Sequence, residues 1–269
     1  MEKGLKELVE ELSKPAVDKS DIPLVYKWKD NGENGARLLT MPNIPTPLQG
    51  DGMQPRTIFG VSQWNKIRKQ CYADANYHCQ ICGFDCSDSI MHAHEVYSID
   101  YKKHTSTFER VVALCPLCHV KGIHSGRALT LYKKGVPYMS KEKLLEGAEN
   151  AFTIISSYNR AHPGEEPLRA FETFLEYAKH PALAPEMSRL IKKYNMQFYR
   201  INEKTWKTKY WSDWRIIIDG AEYPTVYATR EDWEKAMEKS NTNNRIDESK
   251  KSFFEEVNAY FDKLEKNKH

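Results

Sequence analysis

Six cysteines and six of the nine histidines fall between residues 71 and 124. Two Cys-x-x-Cys knuckles frame the group, Cys79/Cys82 and Cys115/Cys118. Each knuckle can aim two thiolates at one point, and two together supply the soft tetrahedral ligand set of a closed zinc site. The 32 residues between the knuckles exceed the ~15–20 of a simple ribbon, so something is inserted there. Gly83, after the first knuckle, suits a sharp backbone turn. Cys71 reads as a small core residue on an apolar helix face, and Cys86 as a loop thiol.

The insert and its exit carry imidazoles. His92-Ala93-His94-Glu95 lies in a strand-like run, and period-2 alternation puts His92 and His94 on one face with Glu95 on the other. His119 follows the second knuckle directly on a helix expected to begin near Pro116, and His124 comes five residues later. Five residues overshoot the i,i+4 spacing of paired helical ligands, so a loosened turn near Gly122 is needed to bring the two rings together. Imidazoles gathered at one point can hold a divalent ion with open positions, and an uncoordinated one can act as general base on water. Those are the parts that phosphodiester hydrolysis requires.

The elements around this group are coarser. Residues 1–13 have the apolar spacing of a short amphipathic helix, and the proline-rich stretch 15–60 reads as extended and irregular, wrapped on a later core. Residues 62–77 read as a helix with Ser62 as N-cap and Trp64, Ile67 and Cys71 on one face. Helices are expected over 140–160 with Ser140 as N-cap, then over 166–179 and 184–195. Ile216-Ile217-Ile218 reads as a strand entering an Asp219-Gly220 turn, and Thr229 caps a helix over 230–240. The aromatic set Trp206, Tyr210, Trp211 and Trp214 reads as core rather than a base-stacking platform. The apolar face of a final helix over 246–267 fits either packing on the body or a homo-oligomer contact. Three regions result: 1–60, 61–135 around the cysteines, and 136–269.

The 269 residues are 40% hydrophobic and 29% charged, with net charge +3. That composition excludes collagen, rods, disulfide scaffolds and full disorder. No apolar run approaches the ~20 residues of a membrane helix. The charged segment 1–14 has no secretory pattern, which predicts a cytoplasmic protein. Clustered Cys and His in a reducing compartment point to metal.

Taken together, Cys79-Gln80-Ile81-Cys82-Gly83, His92-Ala93-His94-Glu95-Val96-Tyr97 and Ala113-Leu114-Cys115-Pro116-Leu117-Cys118-His119 with His124-Ser125-Gly126 resemble an HNH endonuclease domain of the zinc-bearing type. The likeness is greatest to HNH proteins encoded by bacteriophages, which would make the location the host cytoplasm. It covers about 78–127 closely, and more loosely Arg56–Gly60, Trp64–Arg68 and Trp214–Asp219. The resemblance implies an α+β fold, a mainly helical chain around a small ββα-metal core stapled by a four-cysteine zinc knot. It implies DNA as partner, no membrane, and 5′-phosphate and 3′-hydroxyl products. It casts His94 as general base, and His119 and His124, helped by His92, as holders of a second divalent ion (Mg²⁺, Mn²⁺, Ni²⁺ or Zn²⁺). Arg127 is the expected contact to the scissile phosphate, with Lys69, Arg110 and Lys121 as further DNA contacts. Two positions depart from the family pattern: Ala93 stands where many members carry a ligand, and Arg110 where an asparagine usually tethers the loop holding the base. On those departures rests the alternative, a zinc-stapled nucleic-acid-binding or partner-binding protein with an inactive site.

Overall fold

The computed structural model describes residues 25–26, 35–136, 139–199 and 211–243. The helices expected over 1–13 and 246–267, and the aromatics Trp206 and Tyr210, lie outside the described residues. The architecture is mixed α+β. A five-stranded sheet runs in the order β1 (Val25–Tyr26), β2 (His92–Asp100), β3 (Thr105–Leu114), β6 (Arg215–Ile218), β7 (Ala221–Pro224). The strands β4 (Ala170–Phe171) and β5 (Phe198–Tyr199) form a separate parallel pair.

β2 and β3 are the insert between the knuckles. They pair antiparallel from His92↔Leu114 to Asp100↔Thr105, with an irregularity between Val96 and Tyr97. β6 adds parallel to β3, and β7 returns antiparallel through Asp219 and Gly220, both at positive φ (50° and 80°). Positive φ at both central residues is the geometry of the tight hairpin turns that Asp-Gly favours.

Helices follow in chain order: α1 (Gly35–Leu38), α2 (Pro55–Phe59), α3 (Val61–Asp74), a π-helix (Leu117–Ile123), α4 (Ser125–Lys133), α5 (Lys141–Ala161), α6 (Thr173–Lys179), α7 (Ala184–Lys193) and α8 (Arg230–Asn243). The 21-residue α5 is the spine of the helical layer; Leu144, Ala148, Ala151, Phe152 and Ile155 on it are fully buried. Each large apolar side chain among them contributes roughly 1.5–3 kcal/mol by leaving water. The Ser140 hydroxyl accepts the Lys143 amide at 3.3 Å and caps α5, as its sequence position leads one to expect.

The described part of the proline-rich stretch wraps on the core, but it is not extended throughout, since the short helices α1 and α2 lie in it. Ala36 and Leu39 pack with the helical cluster, Leu38 and Met41 with the cysteines, and Leu48 and Met53 with the aromatic cluster around Trp214. Gly35 lies against the first knuckle so closely that a Cβ there would overlap the backbone of Gln80 and Ile81.

Three expectations are corrected. The N-cap of α3 is Gly60 (φ 78°), not Ser62, and no side chain caps it. Residues 166–169 have no regular structure and 170–171 form β4, so this stretch is not helical. Proline at 167 supplies no amide, and the Asn159 side chain bonds both the amide (2.8 Å) and the carbonyl (2.9 Å) of Leu168, holding the chain open until α6 starts at Thr173. α8, whose capping Thr229 hydroxyl accepts the Asp232 amide at 3.2 Å, runs on to Asn243 instead of ending at residue 240. Among the described residues no helix is long and apolar enough to cross a membrane.

One close approach sets the π-helix against the spine. A Cβ on Gly147 of α5 would overlap the Cβ of Lys121. Glycine to alanine inside a helix ordinarily stabilises by up to ~1 kcal/mol. Here the sign is expected to reverse: Gly147→Ala should cost about 1–3 kcal/mol through overpacking, read as a lower urea midpoint with an unchanged m-value.

Candidate metal centres

The four knuckle sulfurs, Cys79, Cys82, Cys115 and Cys118, lie within 4.8 Å of one another and could hold a metal ion. A tetrahedron with Zn–S bonds of ~2.3 Å has S···S edges of about 3.8 Å. Cys82 and Cys115 are 3.8 Å apart, the length of such an edge, and all four sulfurs lie within 4.8 Å. Cys79, Cys115 and Cys118 are buried among Leu38, Met41, Val96, Val112 and Leu114. The sulfurs share their protons. Cys79, bonded first by Cys115, and Cys115, bonded first by Cys118, are held below the ordinary thiol range. Cys82 and Cys118, both tied first to Cys115, are held above it. A divalent cation replaces those protons and satisfies all four sulfurs together.

Two supporting side chains carry no motif signal. Gln80 joins the first knuckle to β3: its amide donates to the Ala113 carbonyl at 2.9 Å, and its side-chain oxygen accepts the Ala113 amide at 2.8 Å. Asn150, on α5, reaches the Cys118 sulfur at 3.5 Å. Their chemistry becomes visible only once β3 and α5 are placed beside the knuckles. Cys86 is a loop thiol, as expected, but its loop is folded into the core. It is 1% exposed in the apolar cluster of the knuckle, and burial pushes its thiol up to about 12. Cys71 is half-buried on α3, and burial pushes its thiol up to about 11, which disfavours the thiolate.

The second group is His94, His119 and His124, whose ligating nitrogens also lie within 4.8 Å of one another. Strand β2 presents His94. The π-helix carries His119 and ends at its C-cap His124, and it resolves their awkward spacing. Five residues along an α-helix leave two side chains about 140° apart around the axis. A π-helix bonds i to i+5, and the His124 amide donates to the His119 carbonyl at 3.0 Å. The His119 and His124 rings then lie 4.6 Å apart, and His94 sits 5.2 Å from each. His92 lies outside the trio, its ring stacked on His119 at 4.6 Å.

Burial keeps the imidazoles neutral. It lowers His94 to about 3 and His92 and His124 to about 4, and it holds His119 well below the ordinary value. Among the described residues, neither ring nitrogen of His94 nor Nδ1 of His119 has a hydrogen-bond partner. A buried polar atom left unpaired costs ~1–3 kcal/mol, and a metal ion is what relieves it in such a cluster. The neutral donors therefore fit a divalent ion, and imidazole suits Zn²⁺, Ni²⁺ or Mn²⁺ better than Mg²⁺.

The same shifts set a pH dependence. Unfolded histidines take up protons near pH 6.5, while the folded ones resist protonation down to about pH 3–4. Between those limits the unfolded chain binds more protons, so stability is full above about pH 6.5 and falls as pH drops. In protein carrying zinc only at the cysteines, the urea midpoint should fall more steeply between pH 6.5 and 4.5 for wild type than for His94→Gln, by about one bound proton.

Of the expected DNA contacts, Lys69 is exposed on α3 and Arg127 on α4. Arg127 is close enough for its charge to lower His119 and His124 further. Arg110 is half-buried opposite Val96, where its charge reaches Cys71 of α3. Lys121 is corrected: it is 1% exposed, packed on Gly147 and 3.6 Å from Glu146, and burial lowers its ammonium to about 7. The π-helix turns that side chain inward to α5, where it is withdrawn from the surface. Ala93 contributes no ligand, and Glu95 is half-buried on β2, one residue out of phase with His92 and His94.

No family model, no curated protein and no solved structure matches this chain.

Proposed function

We propose that the chain is a metal-dependent endonuclease of the ββα-metal, HNH type that hydrolyses DNA phosphodiester bonds. One observation carries the reading: a hairpin and a helix, joined through a four-cysteine cage, bring three neutral imidazoles to one point. His119 and His124 would hold the ion, with His92 packed behind His119. Once bound, that ion would supply positive charge to the departing 3′ oxygen. His94, neutral because it is buried, accepts the proton of the attacking water. Lys69 and Arg127 are the exposed cations that would meet phosphates. The cysteine cage is structural: it fixes β2 and the π-helix side by side and takes no part in proton transfer.

The test is cleavage of supercoiled plasmid at low salt by zinc-loaded protein, with Mn²⁺, Ni²⁺, Mg²⁺ or EDTA. Nicking that requires added ion supports the reading. A folded, zinc-loaded protein that cleaves neither plasmid nor a random-sequence DNA pool under any ion would overturn it.

A further inference from the structure

The four sulfurs of the cysteine cage are not equally protected. Cys79 is 2% exposed and Cys115 and Cys118 are fully buried, whereas Cys82 reaches the surface. The chain around Cys82 leaves it open. Gln80, Gly83 and Asp85 are exposed as well. Gly83 has φ 71°, and beyond its chain neighbours no atom lies within 4 Å of where its Cβ would stand. The second knuckle lies instead against α5, whose Asn150 reaches the Cys118 sulfur.

Hydrogen bonding widens the difference. The Cys118 amide donates to the Cys115 sulfur at 3.4 Å, and the Asn150 side chain donates to the Cys118 sulfur at 3.5 Å. Among the described residues the Cys82 sulfur accepts no N–H; its contact is the Cys115 sulfur, 3.8 Å away. A metal ion keeps its coordinating thiols deprotonated, and the thiolate is the nucleophile. An N–H donor draws electron density from such a sulfur and lowers its reactivity. Exposure and thiolate character together select the sulfur that an oxidant meets first. Both favour Cys82, and Cys115 stands next to it.

We propose that Cys82 is an oxidation site through which a peroxide opens the cage, with Cys115 as its resolving partner and Zn²⁺ as the released product. The Cys82 thiolate attacks one peroxide oxygen, the O–O bond breaks, and hydroxide leaves, giving a sulfenic acid. The Cys115 thiolate then displaces the second hydroxide from that sulfur and closes a disulfide. Two electrons pass from the two sulfurs to the peroxide, which ends as two hydroxides. Zn²⁺ is left with two of its four ligands and dissociates. The cage holds β2 beside the π-helix, so its opening parts His94 from His119 and His124. An oxidant at the surface thereby disarms the histidine trio without touching an imidazole. The inference rests on the cage alone and holds whether or not the chain cleaves DNA.

The test treats the full, zinc-loaded chain with stoichiometric hydrogen peroxide and follows zinc release with a chromogenic chelator. Iodoacetamide then blocks the remaining thiols, and peptide mass spectrometry locates the oxidised pair. The first disulfide should join Cys82 to Cys115, and zinc should appear in step with it. Co²⁺ binding at the histidines should be lost in the same proportion, and a thiol reductant with Zn²⁺ should restore both. Cys82→His offers zinc a nitrogen ligand in place of the open sulfur. It should keep its zinc and release it to peroxide at least about 10-fold more slowly. Cys71→Ser, outside the cage, should release zinc at the wild-type rate. The map of the wild-type chain decides the matter even where Cys82→His does not fold. A wild-type chain that takes up no zinc, zinc retained through a large excess of peroxide, or a first oxidised pair that omits Cys82 would each overturn the proposal.

Discussion

Cys115→Ser is expected to strip the chain of zinc and to unfold the core between the knuckles. Structural zinc sites contribute about 10–16 kcal/mol in isolated zinc-finger peptides, as much as the ~5–15 kcal/mol net stability of a whole domain. Cys115 lies at the end of β3, is fully buried, and has its sulfur 3.8 Å from that of Cys82 and 3.4 Å from the Cys118 amide. Serine oxygen is a poor match for this soft, apolar cage. Metal analysis of the purified variant should find well under one zinc per chain. Far-ultraviolet dichroism and urea titration should show a loss of several kcal/mol or no cooperative transition. A strong chelator should do the same to wild type, reversibly on adding Zn²⁺. Cys71→Ser, at a half-buried sulfur outside the cage, should keep its zinc and serves as the control. Full stability in zinc-free Cys115→Ser would show that the four sulfurs are only core cysteines.

His94→Ala is expected to abolish cleavage while leaving zinc content and fold intact. A positioned general base contributes typically 10²–10⁴-fold, so the residual rate should fall by at least about 100-fold. Stability is not expected to suffer greatly. The substitution removes two buried nitrogens that have no hydrogen-bond partner among the described residues, and that relief offsets part of the cavity it leaves. The decisive companion measurement is Co²⁺ binding at the histidines. Retained binding with lost cleavage fits a base. Lost binding would reassign His94 as the third ligand of the trio, since its nitrogens lie within the same 4.8 Å as those of His119 and His124. Cleavage at the wild-type rate with the ion bound would remove His94 from the chemistry altogether.

Much of the site was legible in the sequence because its signals are local. A Cys-x-x-Cys turn aims its own sulfurs, and strand alternation alone puts His92 and His94 on one face. The excess length between the knuckles announced an insert, which is the β2–β3 hairpin. The Asp219-Gly220 turn and the Ser140 cap were equally local. Spacing also posed the problem of residues 119 and 124 without solving it. An i,i+5 pair is poor on an α-helix and good on a π-helix, and the choice depends on what packs against the turn.

Packing made that choice, and only the tertiary structure could report it. Gly147 lets α5 approach until Lys121 is buried against it, so a lysine that reads as a DNA contact becomes part of the interior. The same depth of packing buried the loop residue Cys86 in the core, and it opened residues 166–171 through a side chain on α5. Gln80 and Asn150 support the cysteine cage from positions with no motif, because their partners lie 33 and 32 residues away. Local patterns determined which atoms could bind a metal. Contacts between distant segments decided which of those atoms meet, which cations remain at the surface, and how deeply the histidines are withdrawn from water.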